Sequence, residues 1–356
     1  MLKHIAKVTF EEICSTHWLL KEHIHHTPVV SCSALARHHN DLVPEKTQST
    51  ILYDKVYLKC ENLQKIGAFK IRGGLSAIKR LPDSTQVVTT HSSGNHAQAV
   101  ALGCQIVGKK AVIVMPKDSP QVKIDAVQKT YGAEIRFCEP NQAARERMCK
   151  DVIEEYQAKA TEGSEDSVAF VHPYNDPRVI CGQGTVALEF LEDVQNLDVL
   201  VVAVGGGGLL SGCCIAAKGI NPDIKVVAAE PCEANDCYQS FMQGWPDKPC
   251  VNEKPPKTIA DSVKVNMGDV TYPIIKSHVD LVVQVTEDEI KQAMRLTMER
   301  AKLVIEPGAA VAVAAACCRT DIVEHFTGSF TSSRKINVGV VLCGGNVNLE
   351  DINGLI

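Results

Sequence analysis

Lys70 lies in Gly67-Ala68-Phe69-Lys70-Ile71-Arg72-Gly73-Gly74, directly after the strand-like run Val56 to Glu61, where a loop turns into a helix. An apolar neighbour on each side can withdraw the amine partly from water. That lowers its pKa and leaves a free amine able to form a Schiff base with a carbonyl compound. A helix-start lysine in open water satisfies the same local pattern, so the segment alone leaves both readings open.

Further along, Val201-Val202-Ala203-Val204 runs into Gly205-Gly206-Gly207-Gly208 and then Leu209-Leu210-Ser211-Gly212, a strand opening through four glycines into a helix. Without side chains the backbone can approach an anion closely, and the N–H groups and dipole of the helix start favour negative charge. A tight strand-to-helix turn needs only one or two glycines, so the run favours a phosphate cradle. It is not G-x-G-x-x-G with an acidic residue at ribose distance, and a single phosphate fits better than a dinucleotide.

Two more strand ends carry small polar residues. After Val87 to Thr90 comes His91-Ser92-Ser93-Gly94-Asn95-His96, then a helix. The amides of that helix start could hold a carboxylate, Asn95 could hydrogen-bond a cofactor oxygen, and Ser93 could move a proton. A plain Ser/Asn helix cap has much the same composition. After Lys335 to Leu342 comes Cys343-Gly344-Gly345-Asn346. A thiol there can hydrogen-bond a heteroaromatic nitrogen without protonating it, although a buried cysteine is more often packing alone.

The elements that must position these residues alternate. Apolar β-branched runs at Val87 to Thr90, Ala111 to Met115, Glu134 to Phe137, Val168 to Val171, Val199 to Val204, Lys225 to Glu230 and Lys335 to Leu342 read as buried parallel strands. Between them, Asn95 to Gly103, Val122 to Tyr131, Gln142 to Gln157, Gly182 to Asp193 and Glu287 to Lys302 read as helices. This predicts α/β units with ligands at the carboxyl ends of the strands. Pro82 to Gln86 and the His172 to Pro177 turn bracket a small lobe, residues 87–175, inserted into a larger domain of residues 1–86 and 176–356. Thr161 to Ser167 and Trp245 to Lys257 read as surface loops.

Composition narrows the function. The 356 residues are 45% hydrophobic and 22% charged with a formal net charge of -5, an ordinary globular profile with no basic footprint for nucleic acid. Fifteen cysteines are scattered, mostly inside apolar runs, without zinc spacing. They read as buried free thiols in a reducing compartment. Lys3, Lys7, Glu11 and Glu12 interrupt any signal-peptide core, and no apolar run has spanning length, so a cytoplasmic protein that binds neither membrane nor nucleic acid is expected.

A Schiff-base lysine, a phosphate cup and small polar residues at two strand ends describe a pocket for pyridoxal 5'-phosphate. The segments GAFKIRGG, SSGNHAQA, GGGGLLSG, AAEPCEANDCYQS, IEPGAA and CGGNVNL resemble those of the fold-type II pyridoxal-phosphate enzymes, most closely the eukaryotic serine racemase and serine/threonine dehydratase group. The likeness runs from His26-Thr27-Pro28 to Asn346 with the motifs in family order. It implies a tryptophan synthase β-like α/β fold, with two open twisted sheets flanked by helices. The large domain would bind the cofactor, and the small one would carry the substrate loop.

Carried over residue by residue, the resemblance makes Lys70 the covalent attachment point and the base on one face of the substrate Cα, and Ser93 the group on the opposite face. Asn95 would contact the phenolic oxygen, Gly205, Gly206, Gly207, Gly208 and Leu209 the phosphate, and Cys343 the pyridine nitrogen. Ser92, Ser93, Asn95 and His96 would take the substrate carboxylate. Glu230, the Ala234 carbonyl and Asp236 match a site for Mg²⁺, Ca²⁺ or Mn²⁺. ATP would meet Ser33, Lys65, Gln98, Tyr131, Lys302 and Asn346 at the interface of a homodimer, whereas Cys32, Ala34 and Ile66 depart from the types expected there.

Other departures are divided. Cys343 and His172-Pro173-Tyr174-Asn175-Asp176 are dehydratase-like, Ser93 is racemase-like, and Ala68 and Ala97 replace the usual Ser and Gly. The expected function is serine racemisation with dehydration of L-serine, and of L-threonine if the pocket admits it. The alternatives are a dedicated L-serine/L-threonine ammonia-lyase and a non-catalytic binding protein on the same scaffold.

Overall fold

Most of the apolar runs become strands buried on both faces, which is why they read as continuous rather than alternating, whereas the strands over Glu134–Cys138 and Val168–Phe170 are only partly buried. The computed structural model describes residues 7–44, 51–159, 167–330 and 335–356. Lys3 and residues 161–166 of the predicted loop lie outside them. The strands are β1 Val29–Ser31, β2 Tyr53–Lys59, β3 Val87–His91, β4 Lys110–Pro116, β5 Glu134–Cys138, β6 Val168–Phe170, β7 Val199–Ala203, β8 Lys225–Pro231, β9 Leu281–Val285 and β10 Ile336–Val341. They form a six-stranded sheet in the order β1-β2-β10-β7-β8-β9 and a four-stranded sheet in the order β5-β4-β3-β6. Every pairing is parallel except β1 with β2.

Both sheets reverse strand order at one place. In the four-stranded sheet the chain leaves β3 towards β4 on one side, and β6 returns on the other. In the six-stranded sheet β8 continues outward from β7 while β10, last in the chain, inserts between β7 and β2, with Val340 paired to Val201. At such switch points the crossing helices diverge and leave a crevice beyond the carboxyl ends of the strands.

By contacts the chain divides into two compact units, Met1–His25 with Lys70–Gln183, and His26–Phe69 with Gly184–Ile356. The predicted boundaries lie at 86/87 and 175/176, so the helix Lys70–Ile78 goes instead with the four-stranded sheet. Its packing explains why. A Cβ at Gly73 would fall 2.3 Å from the Gln183 Nε2, one at Gly74 would lie 3.1 Å from the Ala99 Cβ, and one at Gly182 would lie 2.3 Å from the Arg72 carbonyl oxygen. The glycines after Lys70 therefore serve close helix packing, and Gln183 Oε1 accepts the Gly73 amide at 3.1 Å.

In the second unit the helix Pro307–Cys317 is buried along its whole length, as expected of a segment apolar all round. All fifteen cysteines are free thiols, most of them buried. Among the described residues no helix is long and apolar enough to cross a membrane.

Candidate active site

In the first unit the switch point gathers titratable side chains. Lys70 opens its helix half-buried, and its Nζ donates to the Pro173 carbonyl at 3.0 Å. Past β3, the Ser92 amide donates to Val114 O at 3.1 Å and the Gly94 amide to Ser92 Oγ at 3.2 Å. Gly94 is the residue before the helix Asn95–Val107, and no side chain caps that helix. The cap reading of SSGN therefore gives way: Ser92 shapes the turn, and the first-turn amides are not taken up by a side-chain cap. Ser93 and Asn95 stand half-buried beside them.

Three imidazoles complete this region, and burial holds each below its usual pKa. His96 is pushed well down, with the Lys70 charge adding to the effect, and its Nε2 lies 3.1 Å from Val171 O. His172 is lowered to about 4, with His91 adding to the shift. His91 is also lowered, with the Arg145 guanidinium contributing. At neutral pH these rings are uncharged. Arg145 was not singled out from sequence. It lies in the first turn of the helix Gln142–Ala158, where a basic residue reads as surface, yet its Nε is buried without a hydrogen-bond partner in the structure.

In the second unit, β7 and β10 deliver two glycine turns to the other switch point. Gly207, with φ +86°, is the residue before the helix Gly208–Ile220, again without a side-chain cap. A Cβ there would lie 2.9 Å from Thr271 Oγ1, and one at Gly205 would lie 2.8 Å from the Val263 Cα. Two of the four glycines are thus required by packing as well as by any ligand. The Thr271 hydroxyl fixes the turn by donating to Gly206 O at 2.8 Å. Leu209 is buried behind it.

After β10, Cys343 is buried and its carbonyl accepts the Phe69 amide at 3.0 Å, immediately before Lys70 in sequence. Gly344 must lack a side chain because a Cβ would fall 2.8 Å from the Glu306 carboxylate. Glu306, buried within the IEPGAA motif, accepts the Asn346 amide at 3.2 Å. Its motif is legible in sequence, but its role is not.

Glu230 and Asp236 do come together. Glu230 accepts the amides of Cys237 at 3.2 Å and Tyr238 at 2.9 Å; Asp236 accepts the Met267 amide at 2.8 Å and the Asn252 side chain at 3.0 Å. Burial raises Glu230 far above the usual carboxylate range, with Asp236 adding to it, and burial raises Asp236 to about 6. Two buried carboxylates, one raising the pKa of the other, suit a bound divalent cation, and Ala234 is also buried.

The residues expected to meet a nucleotide are divided: Gln98 and Tyr131 lie in the first unit, Ser33, Lys65, Lys302 and Asn346 in the second. Tyr131 and Lys302 each follow a helix that widens into a π-turn, Ala126–Thr130 and Thr297–Ala301. Lys302 and Ile66 are left-handed, with φ of 61° and 64°. Asn346 Nδ2 donates to Ile66 O at 2.7 Å, and Lys302 Nζ to Glu299 O at 2.7 Å.

Each unit by itself supplies groups suited to part of one cofactor. A half-buried lysine among neutral imidazoles suits an aldehyde, an uncapped glycine turn suits a phosphate, and a buried thiol suits a neutral ring nitrogen. The comparisons agree. The profile of the family described as "Pyridoxal-phosphate dependent enzyme" matches residues 20–344. Serine racemase of Homo sapiens is 44% identical over 347 residues, covering 96% of this chain and 92% of its own. Serine racemase of Dictyostelium discoideum is 40% identical over 358 residues, covering 100% of both. The structure of maize serine racemase superposes with a TM-score of 0.83 at 35% identity, covering 98% of this chain and 96% of the other.

Proposed function

The chain belongs to the pyridoxal-phosphate dependent enzymes, and from that premise we propose that it interconverts L- and D-serine and also converts L-serine to pyruvate and ammonia. One observation carries the racemase reading: this chain presents, half-buried in one unit, both an amine and a hydroxyl able to carry a proton, Lys70 and Ser93. Racemisation needs two such groups, one for each face of Cα, whereas elimination needs only one.

When bound, pyridoxal phosphate supplies an imine to the substrate amine and a ring that withdraws negative charge from Cα. Lys70, as a free amine, takes the Cα proton. Ser93 returns a proton to the opposite face, giving the enantiomer. If the β-hydroxyl leaves instead, hydrolysis of the resulting enamine yields pyruvate and ammonia. The backbone amides at the start of the helix Asn95–Val107 bind the substrate carboxylate, and His96 stays neutral beside them. The amides of Gly205 to Leu209 would hold the phosphate. The Cys343 thiol would hold the ring nitrogen without charging it, which would favour proton return and elimination over longer-lived carbanion chemistry.

The buried Glu230 and Asp236 support a divalent cation, Mg²⁺, Ca²⁺ or Mn²⁺, that is structural rather than catalytic. The free thiols support a reducing, cytoplasmic setting. The test is incubation with L-serine and chiral analysis for D-serine alongside pyruvate; both are expected. Cys343 and the His172–Asp176 turn favour a second reading, a dedicated ammonia-lyase. Pyruvate without D-serine would establish that reading and remove the racemase.

A further inference from the structure

The turn after β6 is built to present one backbone carbonyl to Lys70. Val171, its first residue, is fixed by three bonds: its amide donates to Thr89 O at 3.0 Å, and its carbonyl receives Thr90 Oγ1 at 2.8 Å and His96 Nε2 at 3.1 Å. Its far end is fixed by Asp176, which accepts the Arg178 amide at 2.8 Å and pairs with the Arg178 guanidinium at 2.7 Å. Between these anchors His172 Nδ1 accepts two amides, from Asn175 at 2.9 Å and Tyr174 at 3.3 Å. Pro173 has no N–H to compete for that nitrogen, and its ring fixes φ. Its carbonyl is left for Lys70 Nζ at 3.0 Å.

The acceptor type matters. A base that removes a Cα proton must be held in place while staying a neutral amine. A carboxylate would hold the nitrogen as ammonium, whereas a carbonyl takes one N–H without adding negative charge. We infer that the Pro173 carbonyl is the docking point of the Lys70 amine once substrate has displaced it, and that His172 is the positioning residue that sets this carbonyl. The inference rests on the proposed function and adds to it a part of the chain that the catalytic assignments did not use. Accepting through Nδ1 requires the neutral tautomer with its proton on Nε2, consistent with the lowered pKa of His172, about 4.

The rival explanation is space-filling, since the ring also stacks edge-on against Tyr174 at 4.6 Å and lies 6.0 Å from Phe170. His172→Phe and His172→Asn in the holoenzyme separate the two. Phenylalanine keeps the aromatic packing and lacks the acceptor. Asparagine loses the ring, but its Oδ1 can accept amides two and three residues on. The Tyr174 and Asn175 amides should exchange with deuterium slowly in the wild type and in His172→Asn, and at least about tenfold faster in His172→Phe. Exchange of the L-serine Cα hydrogen with solvent deuterium should fall about tenfold to a hundredfold in His172→Phe with KM little changed, and His172→Asn should recover most of it.

A His172→Phe enzyme that matches the wild type, or a His172→Asn enzyme no better than His172→Phe, overturns the inference. Fast exchange of both amides in the wild type overturns it without any variant. A wild-type holoenzyme that exchanges no Cα hydrogen fails the functional reading instead, and the amide rates then still decide whether His172 holds the turn.

Discussion

At the carboxyl ends of β3 and β6 the chain places His91, Ser93, His96 and His172, whereas at those of β7 and β10 it places four glycines, a cysteine and two more glycines. In the proposed function the first region would work through side chains whose protons can move, the second through amides that do not titrate. Fixed charge is best met by dipoles already oriented, and a proton is best moved by a group whose pKa its surroundings have tuned. Substitutions of the half-buried Lys70 and Ser93 should therefore alter the reaction at nearly constant stability, and those in the glycine turns of the second region should alter stability and cofactor retention together.

Lys70→Ala is the largest expected break. Both D-serine and pyruvate formation should fall by more than about a thousandfold, with loss of the covalent absorbance and little change in melting temperature. Next is Ser93→Ala: D-serine formation from L-serine should fall about a hundredfold while pyruvate formation stays within about tenfold, measured in one assay by chiral chromatography.

The carboxylate pair sharpens the contrast through pH. Asp236 has its folded pKa raised to about 6 from the ordinary 3.8, so the folded state binds more protons than the unfolded one between those values. Cation-free protein should therefore lose stability as pH rises from about 4 through about 6, by up to about 3 kcal/mol from this group. Melting curves with chelator should show that loss, and Mg²⁺ or Ca²⁺ should reverse it most at the higher pH. The smallest effect is Gly207→Ala, at about 1–2 kcal/mol from the positive φ alone. It should also release cofactor faster on dialysis, and unchanged retention would separate the turn from the phosphate.

Much of this was legible because buried parallel strands are unbroken β-branched runs. Val199 to Val204 falls within a residue of the fully buried β7; Glu134 to Phe137 falls within a residue of β5, although that strand is mostly half-buried. β1, three residues long, is too short to show a period, and β9 is an apolar run of the same kind that the reading passed over. The helix Pro307–Cys317 carries no amphipathic stripe because every face is buried. The helix expected over Glu287 to Lys302 runs regularly only to Leu296, then widens before the left-handed Lys302, a change that propensity does not encode. At the site, glycines and strand-end polar residues could be read directly. Arg145, Glu306 and the double acceptor at His172 could not, since each depends on partners distant in sequence or on a backbone turn.

The central claim is the covalent bond at position 70. Borohydride reduction of the holoenzyme followed by peptide mapping tests it most directly. The account predicts a single pyridoxyl adduct on the peptide containing Lys70, whereas an adduct on any other lysine, or no adduct on a cofactor-loaded protein, would contradict it.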